Sequence, residues 1–287
     1  MKTLIKKISI SIISLLTLSS ISFAGDRVPF FYNLMPQEDA NSIIDRNEKV
    51  IAFELWEDEN AIFVNGDEIE VADNYFEIDI TNLFGKQEFI ITNDMNEEVI
   101  LTYYISNEDG LVEDYTSNEF KNYDVYVTTI DDVKIIYSEK DTKSVEKVIE
   151  CLDNMPAETK SNLTEIKLLP NKSRGNVAGV TNYDKIIIYG LSKYDDETIE
   201  NIIYHEIAHT WAYELIKEKI LDFSYTDYSE IVKEDNNYVS NYSKKAIKNS
   251  NDYSEDFAES VAFFFINEED FTENHPARAE FIISILN

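Results

Sequence analysis

From about Lys49 to Ile105 apolar and polar residues alternate with a period of two, whereas after about residue 123 helical periods intervene between short apolar runs. One kind of element cannot satisfy both periods. The front half must therefore be built from half-buried strands, and the back half from strands and helices together. The clearest local signal in the front half is Ala61–Val64, then Asn65-Gly66, then Glu68–Val71, a hairpin whose two turn residues tolerate positive φ. In Tyr75–Ile80 the alternation turns Phe76, Ile78 and Ile80 to a core and Glu77 and Asp79 to water. Gln87–Thr92 and Glu98–Ile105 supply further strands, and short strands separated by turns predict a small immunoglobulin-like β sandwich.

The polar stretch Ser106–Asn122, which carries Asp109-Gly110 and holds no sustained period, predicts the boundary between a sandwich over residues 25–115 and a second domain over residues 116–287. In the second domain Val125–Thr128 and Val133–Tyr137 read as strands. Asp141 then caps a helix whose Val145, Val148, Ile149 and Leu152 recur at helical spacing, with Pro156 after its end. Strand signals return at Ile166–Leu169, Gly179–Thr181 and Lys185–Tyr189, after which Asp195-Asp196-Glu197 opens a long helix with acids suited to its dipole. The expected fold class is α+β.

Lys2, Lys6 and Lys7, the apolar stretch Ile8–Leu18 and the small residues of Ser22-Phe23-Ala24 together read as a secretory signal over residues 1–24. The remaining chain is then expected outside the cell. Lys and Arg number 25 against 56 Asp and Glu, a net charge of −31 that repels phosphate backbones and anionic bilayers and so excludes nucleic acid and membrane surfaces as partners. Cys151 is the sole cysteine, so no intrachain disulfide forms, and its place in an apolar helical pattern predicts a buried small hydrophobe.

Within the long helix stands His205-Glu206-Ile207-Ala208-His209. Histidines four apart lie on one helical face, where two imidazole nitrogens can hold one Zn2+ while Glu206 stands beside the open coordination position. A third histidine of the extended metzincin pattern would fall at position 215 with glycine at 212, but these are Leu215 and Ala212, so that class is excluded. His275, in Asn274-His275-Pro276, reads as a surface helix start rather than a ligand. The third donor is expected from Glu255-Asp256-Phe257-Ala258-Glu259, with Glu255 as ligand and Glu259, one turn on, orienting a ligating histidine. A capping box between Asp252 and Glu255 is the alternative use of Glu255.

His205–His209, Val239-Ser240-Asn241-Tyr242 and Glu255–Glu259 together resemble the secreted metallopeptidases related to the catalytic domain of anthrax lethal factor and to the clostridial Pro-Pro endopeptidases. The resemblance covers roughly residues 124–270 and implies a zincin-like α/β domain holding one Zn2+, with Glu255 as third ligand and Tyr242 stabilising the transition state. Ser243–Ser254 separates Tyr242 from Glu255 by more than the family's usual spacing, which leaves Tyr253 and Tyr238 as substitutes for Tyr242. The implied activity is hydrolysis of extracellular or cell-surface proteins or peptides by metal-activated water, with Glu206 as general base and with cleavage beside proline pairs as the family's specificity. The strand at residues 176–181 is the expected substrate rim, its small residues permitting close backbone approach. The rival expectation is a secreted binding protein, an adhesin whose zincin-like domain no longer turns over.

Overall fold

The computed structural model describes residues 34–36, 41–55, 61–120, 123–171, 177–222 and 227–286; the expected leader at residues 1–24 lies outside them. The chain is a mixed α and β protein. Two compact units interleave along the sequence. Of the described residues, one unit holds 34–36, 52–55, 61–77 and 90–100, and the other holds 41–51, 78–89 and 101 onward.

The front of the chain forms strands β1 (Leu34–Pro36), β2 (Ile43–Ile44), β3 (Val50–Leu55), β4 (Ile62–Val64), β5 (Asp67–Ile69), β6 (Tyr75–Asp79), β7 (Gly85–Asn93) and β8 (Glu98–Ile105). They make a three-stranded sheet in the order β1-β3-β6 and a five-stranded sheet in the order β2-β8-β7-β4-β5. The expected hairpin is present: Val64 pairs with Asp67 across Asn65 (φ 52°) and Gly66 (φ 90°), the two positive angles that a tight turn between right-twisted strands demands. Phe76, Ile78 and Ile80 are buried as the alternation requires, and Phe76 stacks on Phe53 with ring centroids 4.8 Å apart.

In the second unit β9 (Val125–Ile130), β10 (Val133–Ser138), β11 (Glu165–Leu169), β12 (Gly179–Asn182) and β13 (Lys185–Tyr189) form a sheet in the order β12-β13-β11-β10-β9. The three inner strands are parallel and the two edges antiparallel, so β12 pairs with β13 alone. The inner strands are apolar on both faces. Ile135, Ile166, Leu168, Ile186 and Ile188 face a helical core, while Ile136 and Leu169 join Ile43, Val112, Phe120, Val125 and Val127 on the other side. Each such side chain taken fully out of water contributes about 1.5–3 kcal/mol.

Helices α1 (Thr142–Asn154), α2 (Asp196–Lys217), α3 (Asp227–Asp235), α4 (Asn241–Ser250), α5 (Ser254–Ile266), α6 (Glu268–Asn274) and α7 (Pro276–Ile285) complete this unit. Helix α2 begins where Asp195 accepts a hydrogen bond from the Thr198 amide at 3.0 Å, and it packs most extensively on α5. The start of α1 falls at Asp141 as expected, but the carboxylate does not cap the helix. It is fully buried, accepting from the Ser138 hydroxyl at 2.7 Å and the Ser192 amide at 3.4 Å, and these partners outcompete the first turn of its own helix. Cys151 is buried in α1, and burial pushes its thiol up to about 12. No helix among the described residues is long and apolar enough to cross a membrane.

Candidate metal centre

Helix α2 presents His205 and His209 on one face, and α5, lying against it, presents Glu255 to them. The two Nε2 atoms are 3.2 Å apart, and Glu255 Oε2 lies 3.2 Å from that of His205 and 3.5 Å from that of His209. Four-coordinate zinc sits about 2.0–2.1 Å from such nitrogens and oxygens, and the edges of that tetrahedron are then roughly 3.3 Å long. The observed triangle has these edges. Glu255 Oε2 is moreover buried and makes no well-formed hydrogen bond to the two imidazoles beside it, an arrangement that a cation shared among the three donors would relieve. The donor set thus fits a divalent ion with borderline ligand preference, held by two imidazoles and one carboxylate.

The carboxylates around the two histidines make this point favourable for positive charge. Burial disfavours the charged imidazolium of His205, but the Glu255 and Glu259 carboxylates beside it outweigh burial and push its pKa up to about 9. Burial likewise works against the Glu255 carboxylate, and the neighbouring His205 and His209 imidazoles overcome it and hold the carboxyl well below the usual range. Glu259 Oε1 lies 3.2 Å from His205 Nδ1, which leaves Nε2 facing the donor triangle. The alternative capping role of Glu255 is not formed: Asp252 accepts from the Ser254 amide at 3.0 Å and from its hydroxyl at 2.5 Å, while Glu255 lies against the histidines.

Glu206 points into the same cleft, which has a volume of about 710 Å³. The Thr181 hydroxyl on edge strand β12 donates to Glu206 Oε2 at 2.7 Å and to the Glu206 carbonyl at 3.1 Å. Gly179 makes this approach possible, because a Cβ there would lie 2.5 Å from Glu206 Cδ and 2.6 Å from its Cγ. Val177 to Thr181 line the cleft, as the expected substrate rim should; Asn176, its first residue, lies outside the described residues.

Tyr242 lines the cleft with its ring 6.0 Å from that of His205. Burial, followed by the charges of Glu255, Glu206, Glu259 and Asp252, pushes its hydroxyl up to about 12, so it remains a hydrogen-bond donor at neutral pH. The long spacing before Glu255 is absorbed by α4. Ser240 starts this helix by accepting from the Tyr242 and Ser243 amides at 3.0 Å, and the turn at Asn251 (φ 53°) sends the chain back into α5. Of the substitutes, Tyr253 is buried at the head of α5, and Tyr238 packs beneath Lys244 and Lys248; neither lines the cleft.

His275 is not on the surface. It precedes α7 as expected, with Pro276 in the first turn, but it is buried, lies 5.1 Å from the Phe271 ring, and its Nδ1 finds no partner among the described residues. The reason is a buried cluster that local sequence reading misses. Arg278 is fully enclosed, donating from Nε and Nη2 to Asp256 at 2.8 and 3.2 Å and from Nη1 to Asp235 at 2.8 Å. Tyr228 also donates to Asp256, at 3.3 Å, so the residue next to Glu255 is tied to both α3 and α7. The available signal was an arginine among apolar residues in α7, which must find carboxylates if it is buried. No family model and no curated protein matches the chain.

Proposed function

We propose that the chain is a secreted zinc-dependent endopeptidase, with an immunoglobulin-like sandwich over residues 25–115 and a zincin-like catalytic domain over residues 116–287. The observation that supports this most is the donor triangle of His205, His209 and Glu255 with a carboxylate, Glu206, beside it in an open cleft. Zinc bound there would polarise a peptide carbonyl and bring the pKa of a water towards about 7. Glu206, held by Thr181, takes the proton of the attacking water and returns it to the leaving amine. The Tyr242 hydroxyl donates to the carbonyl oxygen as negative charge gathers on it. An extended peptide adds to the free edge of β12, and cleavage beside proline pairs is the specificity that the family resemblance implies.

Metal analysis and peptide-library cleavage on the parent and on Glu206→Gln test the reading. One zinc in both proteins with cleavage only by the parent is the expected result. Cleavage by Glu206→Gln at the parental rate would sink the mechanism, and absence of zinc from both would sink the metal centre.

A further inference from the structure

Two exposed tyrosines meet, one of them lining the cleft. Tyr213 stands on α2 four residues beyond His209 and lines the cleft, and Tyr183 stands in the turn between β12 and β13. Their rings are stacked, with centroids 5.0 Å apart and planes 21° from parallel, yet 40% of Tyr213 and 67% of Tyr183 are open to solvent. Tyr183 also has φ of 54°, and it is the only aromatic residue among the described positions with positive φ. A side chain in this left-handed conformation is disfavoured, and glycine or asparagine would fill the turn more cheaply. The strained backbone holds a large ring against Tyr213, a cleft residue, where it gains little from burial.

Strand β12 and helix α2 advance in the same direction past the metal centre: Gly179 and Thr181 meet Glu206, and further along Tyr183 meets Tyr213. Four residues of helix span roughly 6 Å and seven roughly 10 Å, while an extended peptide covers about 3.3 Å per residue. A peptide lying along β12 with its scissile carbonyl at the donor triangle therefore reaches the tyrosine pair two to three residues away. We infer that Tyr183 and Tyr213 form a specificity subsite that takes an aromatic side chain of the substrate at that distance from the cleaved bond, continuing the stack with a third ring. The inference rests on the metallopeptidase reading for its register and names a feature of the substrate.

Peptide hydroxamates test it without turnover, because the hydroxamate chelates the metal and fixes the register. Their affinities are measured on zinc-loaded Glu206→Gln protein, with phenylalanine or alanine placed one, two or three residues from the hydroxamate on either side. Phenylalanine at the second or third residue on one side is expected to tighten binding about tenfold over alanine, the upper range for an added aromatic contact. In Tyr213→Ala and in Tyr183→Gly, where glycine accepts the turn without strain, that ratio falls towards one, with zinc content and melting temperature showing that both variants fold. Hydroxamate binding with no phenylalanine preference, or a preference that survives both substitutions, overturns the subsite alone. A tyrosine-dependent preference in a protein whose parent cleaves no peptide upholds the subsite and removes the peptidase reading. Failure to bind zinc or any hydroxamate overturns both.

Discussion

Gly179 and Glu259 each touch a residue of the candidate site, Gly179 meeting Glu206 and Glu259 meeting His205. A methyl group at Gly179 lands on the Glu206 side chain, and the carboxylate must swing away from the place where Thr181 holds it. Gly179→Ala is expected to leave zinc content intact and to lower kcat by about a hundredfold, the scale of loss for a misplacement of roughly 1 Å. Unchanged kcat in the alanine variant would show that Glu206 does not depend on this approach. Glu259→Gln weakens the hold on His205 Nδ1, and competition with a chelator should show a loss of about 10–100-fold in zinc affinity. The proposed ligands His205 and His209 and the proposed base Glu206 were readable because helical spacing alone places them. The contact of Gly179 and Thr181 with Glu206 was not, since it joins positions 25 or more residues apart through the sheet.

Elements are positioned by a buried network whose members look ordinary one by one. Arg278 binds α7 to Asp235 at the end of α3 and to Asp256 in the first turn of α5, one residue from Glu255. Beside it His275 is held below its ordinary pKa of 6.5, first by burial and then by the Arg278 charge, against the opposing charges of Asp235, Asp256 and Asp270. The unfolded chain therefore takes up a proton near pH 6.5 that the folded chain refuses until lower pH. Stability is present above that pH and is lost as pH falls through it. Melting between about pH 7.5 and about pH 5.5 should accordingly decline less in His275→Leu than in the parent, and an equal decline would remove His275 from the pH response. Sequence periodicity located the strands and the start of α7, but it treats Asn274-His275-Pro276 as surface because the arginine that draws this segment inward acts through α3 and α5. Helix α4 was likewise hidden: Ser243–Ser254 is polar enough to pass for an insertion, and its capping serine is what carries Tyr242 to the cleft.

At the scale of the whole molecule the alternation of residues 49–105 was enough to establish strands, since period two admits nothing else. It did not show that the two compact units would interleave, because pairings such as Ile43 with Tyr104 join residues far apart in sequence. The proposed metal centre would have a comparable long-range effect, since its donors come from α2 and α5. Zinc held at a thousandfold excess over its dissociation constant stabilises the native state by about 4 kcal/mol, so chelation should lower the melting temperature by roughly 8–16 °C. A melting curve indifferent to chelator would contradict a cation at these ligands. The solitary thiol makes the same coupling visible in time. Cys151 is shielded in α1, which packs on α2, so an alkylating reagent can reach it only when that interface parts. With no second cysteine to confuse the signal, the rate of labelling is a clock for native-state breathing, and it should quicken when metal is withdrawn.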